Sequence, residues 1–178
     1  MRDGILGLIL YLTHWLSPGD ERVRIDTEFS GRTEPNKIVF TCKMDPGWND
    51  QLEKLIDAGI PLRFRISYYS DKSDTVEFYR SLQFNMIDFT YTYIDSTDAK
   101  NVRSHPYPMV LLALRDFCCW KMVLPDDATS CKVEAVILPS RAEQLNRYVD
   151  MSRIWGRQEV FSVFNPSEKM KKGPKRRS

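Results

Sequence analysis

The chain of 178 residues contains only two histidines, and this scarcity restricts the catalytic chemistry that it can support. His14 lies inside an apolar N-terminal stretch, and His105 lies just before a predicted helix. A Ser-His-Asp or Cys-His arrangement in a mature domain would therefore have to use His105, and nothing near it in the sequence supports that role. We expect His105 to lie at a helix start or on the surface.

Glycine is also scarce, and the eight glycines are scattered as turn residues. The sequence contains no Gly-x-Gly-x-x-Gly pattern, no phosphate-binding glycine loop and no Gly-x-Ser-x-Gly elbow. Carboxylates are plentiful, but pairs such as Asp126 and Asp127 fall in predicted loops. We therefore predict no catalytic residues and no cofactor.

The four cysteines lack the spacing of a zinc site or of a redox motif. Cys118 and Cys119 are adjacent, whereas zinc sites and redox motifs use Cys-x-x-Cys or similar spacing. Cys42 has the inward phase of its strand and is expected to be a buried apolar residue. If the domain is exported, Cys131 paired with Cys118 or with Cys119 is a plausible disulfide, worth about 2–4 kcal/mol.

No run of about 20 apolar residues is present, so no full-length transmembrane helix is predicted. The apolar stretch "GILGLILYLTHWL", residues 4–16, has the length of a signal-peptide core. Arg2 supplies a positive end, although Asp3 opposes it and no small-x-small cleavage site follows. Residues 1–19 are predicted to be an export signal or membrane anchor, which places the protein in the periplasm or on the inner membrane. The alternative is a cytoplasmic protein in which this stretch is a core helix.

The net charge of +2 conceals a basic C-terminus. Residues 169–177 hold six of the 26 basic side chains and no acidic one, so the rest of the chain has a net charge of about −4. Residues 167–178 are predicted to be a disordered tail that binds anionic lipid, nucleic acid or an acidic partner by charge, or merely solubilises the chain. Its basic side chains are Lys169, Lys171, Lys172, Lys175, Arg176 and Arg177.

Period-two alternation of apolar residues dominates residues 20–166, which are predicted to be a single α+β domain. About seven mostly antiparallel strands are expected, as a sheet or sandwich, with three short helices. One segment, residues 76–95, is expected to be a bent ribbon or a hairpin that turns near residues 85–88. The other predicted strands cover residues 22–29, 37–44, 61–70, 131–139 and 158–164.

Three helices are predicted from their capping signals. The first has Asp45 as N-cap and Gly59 as a left-handed stop. The second, within residues 104–121, has Ser104 as a cap. The third opens with a capping box formed by Ser140 and Glu143, whose side chains would satisfy free amide groups reciprocally.

The ribbon is rich in aromatic residues, which invites comparison with a nucleic-acid stacking platform. Acidic residues accompany the rings and Arg80 is their single basic neighbour, so core and cross-strand packing is the preferred interpretation and nucleic acid is not an expected partner. The rings are those of Phe78, Tyr79, Phe84, Phe89, Tyr91 and Tyr93.

Three segments, residues 52–69, 79–93 and 136–161, together resemble a bacterial family of unknown function found in exported, often membrane-anchored proteins. The first segment has a predicted helix followed by Gly, Pro-Leu and a strand, and the second has an Arg-containing strand followed by a Tyr-rich one. The third has a Leu-Pro, a short predicted helix and a Trp before the last strand. The resemblance spans about residues 23–164 and implies an envelope location without enzymatic activity. It supplies no catalytic residues. The chain departs from it in the basic tail, the Cys118-Cys119 pair and the weak export segment.

These observations predict a non-enzymatic, envelope-facing module that binds another envelope protein. Contact with the membrane surface is expected through the N-terminal segment or the tail. An alternative is a binding protein for an apolar or amphipathic ligand held between sheet and helices, because Phe, Tyr and Met could line a cavity. A further alternative is an enzyme that uses carboxylates or a thiol of Cys118 or Cys119.

Overall fold

The computed structural model describes residues 24–45, 47, 50–96, 102–142, 147–155 and 159–171. More than half of these residues lie in strands. The strands are β1 Arg24–Glu34, β2 Lys37–Asp45, β3 Leu62–Ser70, β4 Ser73–Asn85, β5 Thr90–Ser96, β6 Val102–Tyr107, β7 Cys119–Pro125, β8 Cys131–Ile137, β9 Ser140–Ala142, β10 Arg147–Val149 and β11 Glu159–Phe164. The helices are α1 Asp50–Asp57, α2 Val110–Phe117, α3 Met151–Trp155 and α4 Pro166–Lys171.

The strands form three antiparallel sheets. The largest has the order β11-β8-β3-β4-β5-β6, a second has the order β1-β2-β7, and β9 pairs with β10. Aromatic contacts join the two larger sheets: Phe40 of β2 lies 5.1 Å from Phe164 of β11, and Phe78 of β4 lies 6.4 Å from Trp120 of β7, between ring centroids. The core therefore lies between these two sheets.

Period-two alternation explains which strand residues enter this core. On β2 the inward residues are Ile38, Phe40, Cys42 and Met44, and on β3 they are Leu62, Phe64, Ile66 and Tyr68; all eight are buried. Helix α2 adds Val110, Ala113 and Phe117, which share one helical face. The ring of Phe117 packs 5.8 Å from that of Phe64 and 6.0 Å from that of Tyr93.

Arg80 of β4 is buried between the sheet and the end of α2. Its Nη1 donates hydrogen bonds to the backbone carbonyls of Phe117 and Cys119, each at 2.8 Å, and of Asp116 at 3.2 Å. Its Nη2 donates to Asp95 Oδ2 at 3.1 Å. Since the last carbonyls of a helix lack intrahelical partners, Arg80 anchors α2 and the start of β7 to the large sheet.

Several sequence predictions are confirmed. The chain is β-rich and antiparallel, and β4 and β5 form the predicted hairpin around residues 85–88. Gly59 ends α1 with φ +78°, and the Gly59 and Ile60 amides donate to the carbonyls of Ile56 and Leu55. The element counts were wrong, because the described residues contain eleven strands and four helices rather than about seven and three.

Two predicted helix starts were also wrong. Asp45 ends β2, and its Oδ1 accepts a hydrogen bond from the Gly47 amide at 3.0 Å, whereas the helix is described from Asp50. Ser104 lies in β6, because residues 102–107 pair with β5, and α2 begins only at Val110.

The capping box predicted at Ser140 and Glu143 does not open a helix. Residues 140–142 pair with residues 147–149 as the strands β9 and β10. The hydroxyl of Ser140 is fully buried and donates to the carbonyl of Pro61, which removes it from the role of a helix cap. Glu143 lies outside the described residues.

Residues 166–171 form α4, so the first residues of the predicted disordered tail are helical. Pro166 is buried, and Lys169 Nζ donates to the Thr27 carbonyl at 2.7 Å and lies 4.8 Å from the ring centre of Phe164. Two terminal segments lie outside the described part: residues 1–23, which include the predicted export segment, and residues 172–178. The second segment contains the remaining basic residues of the predicted tail, Lys172, Lys175, Arg176 and Arg177. Within that part, the helices are too short to cross a bilayer.

Candidate docking surface

Three elements meet at one end of the large sheet: the tip of the β4–β5 hairpin, the start of α2 and the end of α1. Tyr91 pairs with Tyr107 in the β5–β6 ladder, so the antiparallel register brings Phe89 and Met109 to the same level beyond it. The hydroxyl of Tyr91 donates to Oδ1 of Asp57, the last residue of α1, at 2.7 Å. This hydrogen bond fixes α1 beside the hairpin.

Large apolar side chains project into solvent at this end. Ile87 is 91% exposed, Phe89 73%, Met109 55% and Met86 51%. We call these four residues the apolar end. Leu112, one helical turn after Met109, extends it along α2. Single exposed apolar residues are ordinary, but contiguous ones mark interaction sites on soluble proteins.

The hairpin tip, which carries Met86, Ile87 and Phe89, is held by its own hydrogen bonds. Asn85 Oδ1 accepts from the Ile87 amide at 3.0 Å, and Thr90 Oγ1 donates to Asp88 Oδ1 at 2.8 Å. Phe89 has φ +54°, in the left-handed region that disfavours a bulky side chain. This conformation presents the ring at the tip, where its nearest aromatic neighbour, Phe84, lies 6.3 Å away.

All four cysteines are free in the structure, so neither pairing considered for Cys131, with Cys118 or with Cys119, is formed. On β7, Trp120 and Met122 point into the core, and the alternation turns half-buried Cys119 to the other face. Cys131 Sγ lies 3.8 Å from Met122 Sδ, on the core side. Cys118 is buried at the C-cap of α2.

Burial governs the chemistry of these thiols. Removal from water raises the pKa of Cys42, of Cys118 and of Cys131 to about 12. Near neutral pH these three side chains are therefore thiols rather than nucleophilic thiolates. This disfavours a thiol-dependent reaction at Cys118 or Cys131.

His105 lies exposed on β6 and stacks on Tyr93, with ring centroids 6.0 Å apart and planes inclined by 27°. The described residues contain no group of three or more His, Cys, Asp or Glu side chains that could hold a metal ion. His105 thus has a packing contact and, within that part of the chain, belongs to no such group.

The described residues also line two surface grooves. One, of about 360 Å³, lies between α2 and the ends of β1 and β2, and is lined in part by Arg24, Met44, Leu111 and Leu114. The other, of about 460 Å³, lies beside the β1–β2 turn. No aromatic side chain of the described residues lines either groove.

Comparison of the chain with protein-family models, with curated proteins and with solved structures found no match in any of the three. The apolar end is therefore supported by its geometry alone. Sequence reasoning missed it, although Met86 and Ile87 in a predicted hairpin turn were a usable signal, because turns normally contain polar residues and glycine. The contribution of Met109 could not be predicted while residues 104–121 were assigned to one helix.

Proposed function

We propose that this protein is a non-enzymatic, envelope-facing module that binds another envelope protein through its apolar end. The observation that carries the proposal is the concentration of Met86, Ile87, Phe89 and Met109, all more than half exposed, at one end of the sheet. Burial of a side chain such as Ile or Phe contributes about 1.5–3 kcal/mol, so Ile87 and Phe89 together would contribute roughly 3–6 kcal/mol to a complex. The envelope location is supported by the apolar stretch of residues 4–16, which has the length of a signal-peptide core.

Docking is preferred over binding of an apolar ligand because the aromatic core is already filled. Phe40, Phe64 and Phe117 are fully buried, and each lies within 6 Å of another aromatic ring. An enclosed ligand would have to displace these contacts, whereas a partner at the apolar end would displace only water.

Site-specific photocrosslinking in cells of the protein's own source would test the proposal. A photoreactive residue at position 87 is expected to yield one discrete adduct with a protein of the envelope fraction. The control places the same residue at Val163, an exposed apolar residue of β11 that lies outside the apolar end. Equal adducts from both positions, or none from position 87, would refute the proposal.

The variant Phe89→Asn separates docking from folding. Asparagine tolerates φ +54° better than phenylalanine, so the backbone gains about 1 kcal/mol, while the loss of the Phe84 contact costs a similar amount. We expect an unchanged denaturation midpoint together with loss of the adduct formed at position 87.

A further inference from the structure

Carboxylates border the apolar end on the side of α1. Glu53 and Asp57 lie one turn apart on α1, and Asp57 touches the hairpin through its hydrogen bond with Tyr91. Asp88 stands between the two most exposed apolar residues of the tip, and its own side chain is exposed to solvent. Together with Lys54 of α1, this border holds three carboxylates and one ammonium group, and its net charge is therefore −2.

Near the end of α2, which extends away from the apolar end, the charges cancel. Arg115 Nε lies 3.0 Å from Asp116 Oδ1, and Asp116 Oδ2 also accepts a hydrogen bond from the Tyr107 hydroxyl at 2.6 Å. The acidic character is therefore confined to the hairpin tip and α1. An apolar surface with such an acidic border differs chemically from one bordered by lysine and arginine.

We infer that the partner of the apolar end is a basic amphipathic protein segment, with an apolar face flanked by lysine or arginine; this inference rests on the proposed function. Basic groups of the partner would lie against Glu53, Asp57 and Asp88 while its apolar face covers Ile87 and Phe89. Complementary charge fixes the orientation of a complex and raises its association rate. The same carboxylates repel anionic lipid headgroups. A basic protein segment is therefore a better occupant of the apolar end than an anionic membrane is.

Two synthetic amphipathic helical peptides of about four turns, with the same leucine face, would test the inference on the full chain. One peptide has lysine on its polar face, and the other has glutamate. Fluorescence anisotropy is expected to show about tenfold tighter binding of the lysine peptide at low salt, with the preference disappearing at about 1 M NaCl.

A triple variant identifies the carboxylates responsible: Glu53→Gln, Asp57→Asn and Asp88→Asn. The amides keep the hydrogen-bond acceptors for Tyr91 and Thr90, so the fold is retained while the charge is removed. The preference for the lysine peptide should fall to about twofold or less, while binding through the leucine face remains.

The matched control neutralises three exposed carboxylates of β1, in the other sheet: Asp26→Asn, Glu28→Gln and Glu34→Gln. It should leave the preference unchanged. An equal loss in both triple variants would overturn the inference, since the preference would then reflect net charge rather than this border.

The variant Ile87→Ser distinguishes failure of this inference from failure of the proposed function. If both peptides bind equally and both lose binding in Ile87→Ser, the partner chemistry is wrong and the docking surface stands. If neither peptide binds, or if Ile87→Ser binds as well as the unmodified chain, both are wrong. Binding to vesicles of anionic phospholipid, lost in Ile87→Ser, would assign the surface to a membrane and overturn the inference.

Discussion

Arg80 is expected to be the polar residue whose removal most destabilises the described part of the fold. In Arg80→Met the buried guanidinium is replaced by an apolar chain of similar length. Substitution of a buried ion pair by apolar residues is often neutral when both partners are replaced. Here the remaining partners include backbone carbonyls of Phe117 and Cys119, which no side-chain substitution can remove.

The magnitude follows from the contacts. Loss of one member of a buried ion pair costs about 3–5 kcal/mol, and the lower value applies because Asp95 keeps 29% of its side-chain surface in water. The carbonyls left without the guanidinium add about 1 kcal/mol. A total of about 4 kcal/mol is a large part of a typical folding free energy of about 5–15 kcal/mol, and corresponds to a fall in Tm of about 12 °C.

Urea unfolding followed by circular dichroism, with thermal melts in parallel, would measure the effect. Arg80→Lys should lose about half as much, because an ammonium group cannot reproduce the planar fork of the guanidinium. Arg63→Met is the matched control: Arg63 is an exposed arginine on the adjacent strand, and we expect a change within about 0.5 kcal/mol. If Arg80→Met were as stable as Arg63→Met, the anchoring role of Arg80 would be refuted.

Two further predictions concern titratable groups. Burial raises the pKa of Cys42, Cys118 and Cys131 to about 12. An aromatic disulfide reagent at pH 8 should therefore modify half-buried Cys119 first and the other three thiols only after unfolding. Rapid reaction of two or more thiols in the native protein would contradict this prediction. Burial, followed by a hydrogen bond to a carboxylate, raises the pKa of the Tyr91 hydroxyl from 10 to about 12. The neutral form is therefore favoured by folding, so this contribution to stability is complete below pH 10 and disappears as the pH rises through 12. Tyr91→Phe should show a smaller loss of stability over that range, and an unchanged loss would refute the assignment.

The strands could be predicted wherever local alternation determines burial. On β2 and β3 every second residue is apolar, and a strand that packs one face on a core needs no further information. Gly59 was predictable for a similar reason, because a left-handed residue after a helix is a local requirement that glycine meets.

Two of the failed predictions depend on partners that are distant in sequence. Ser140 has the local signature of a capping box, but its hydroxyl binds the carbonyl of Pro61. Lys169 belongs to a run of positive charge, yet it contacts Thr27 at the start of the chain's described part and the ring of Phe164. Local propensity cannot reveal such contacts, because they exist only after the sheets have assembled.

The apolar end combines features that local rules disfavour. A turn residue at φ +54° is ordinarily Gly, Asn or Asp, and Phe89 accepts the strain of that conformation while leaving most of its ring in water. The side chain of Ile87 gains even less from packing, because it is almost fully exposed. Only the backbone amide of Ile87 contributes to the turn, through its hydrogen bond to Asn85 Oδ1. Strain and exposure at the same few residues lower the stability of the isolated domain without strengthening its core. A partner that covers Ile87 and Phe89 would offset this cost, because their burial contributes roughly 3–6 kcal/mol. The proposed docking function would thus make these residues consistent with the rest of the fold.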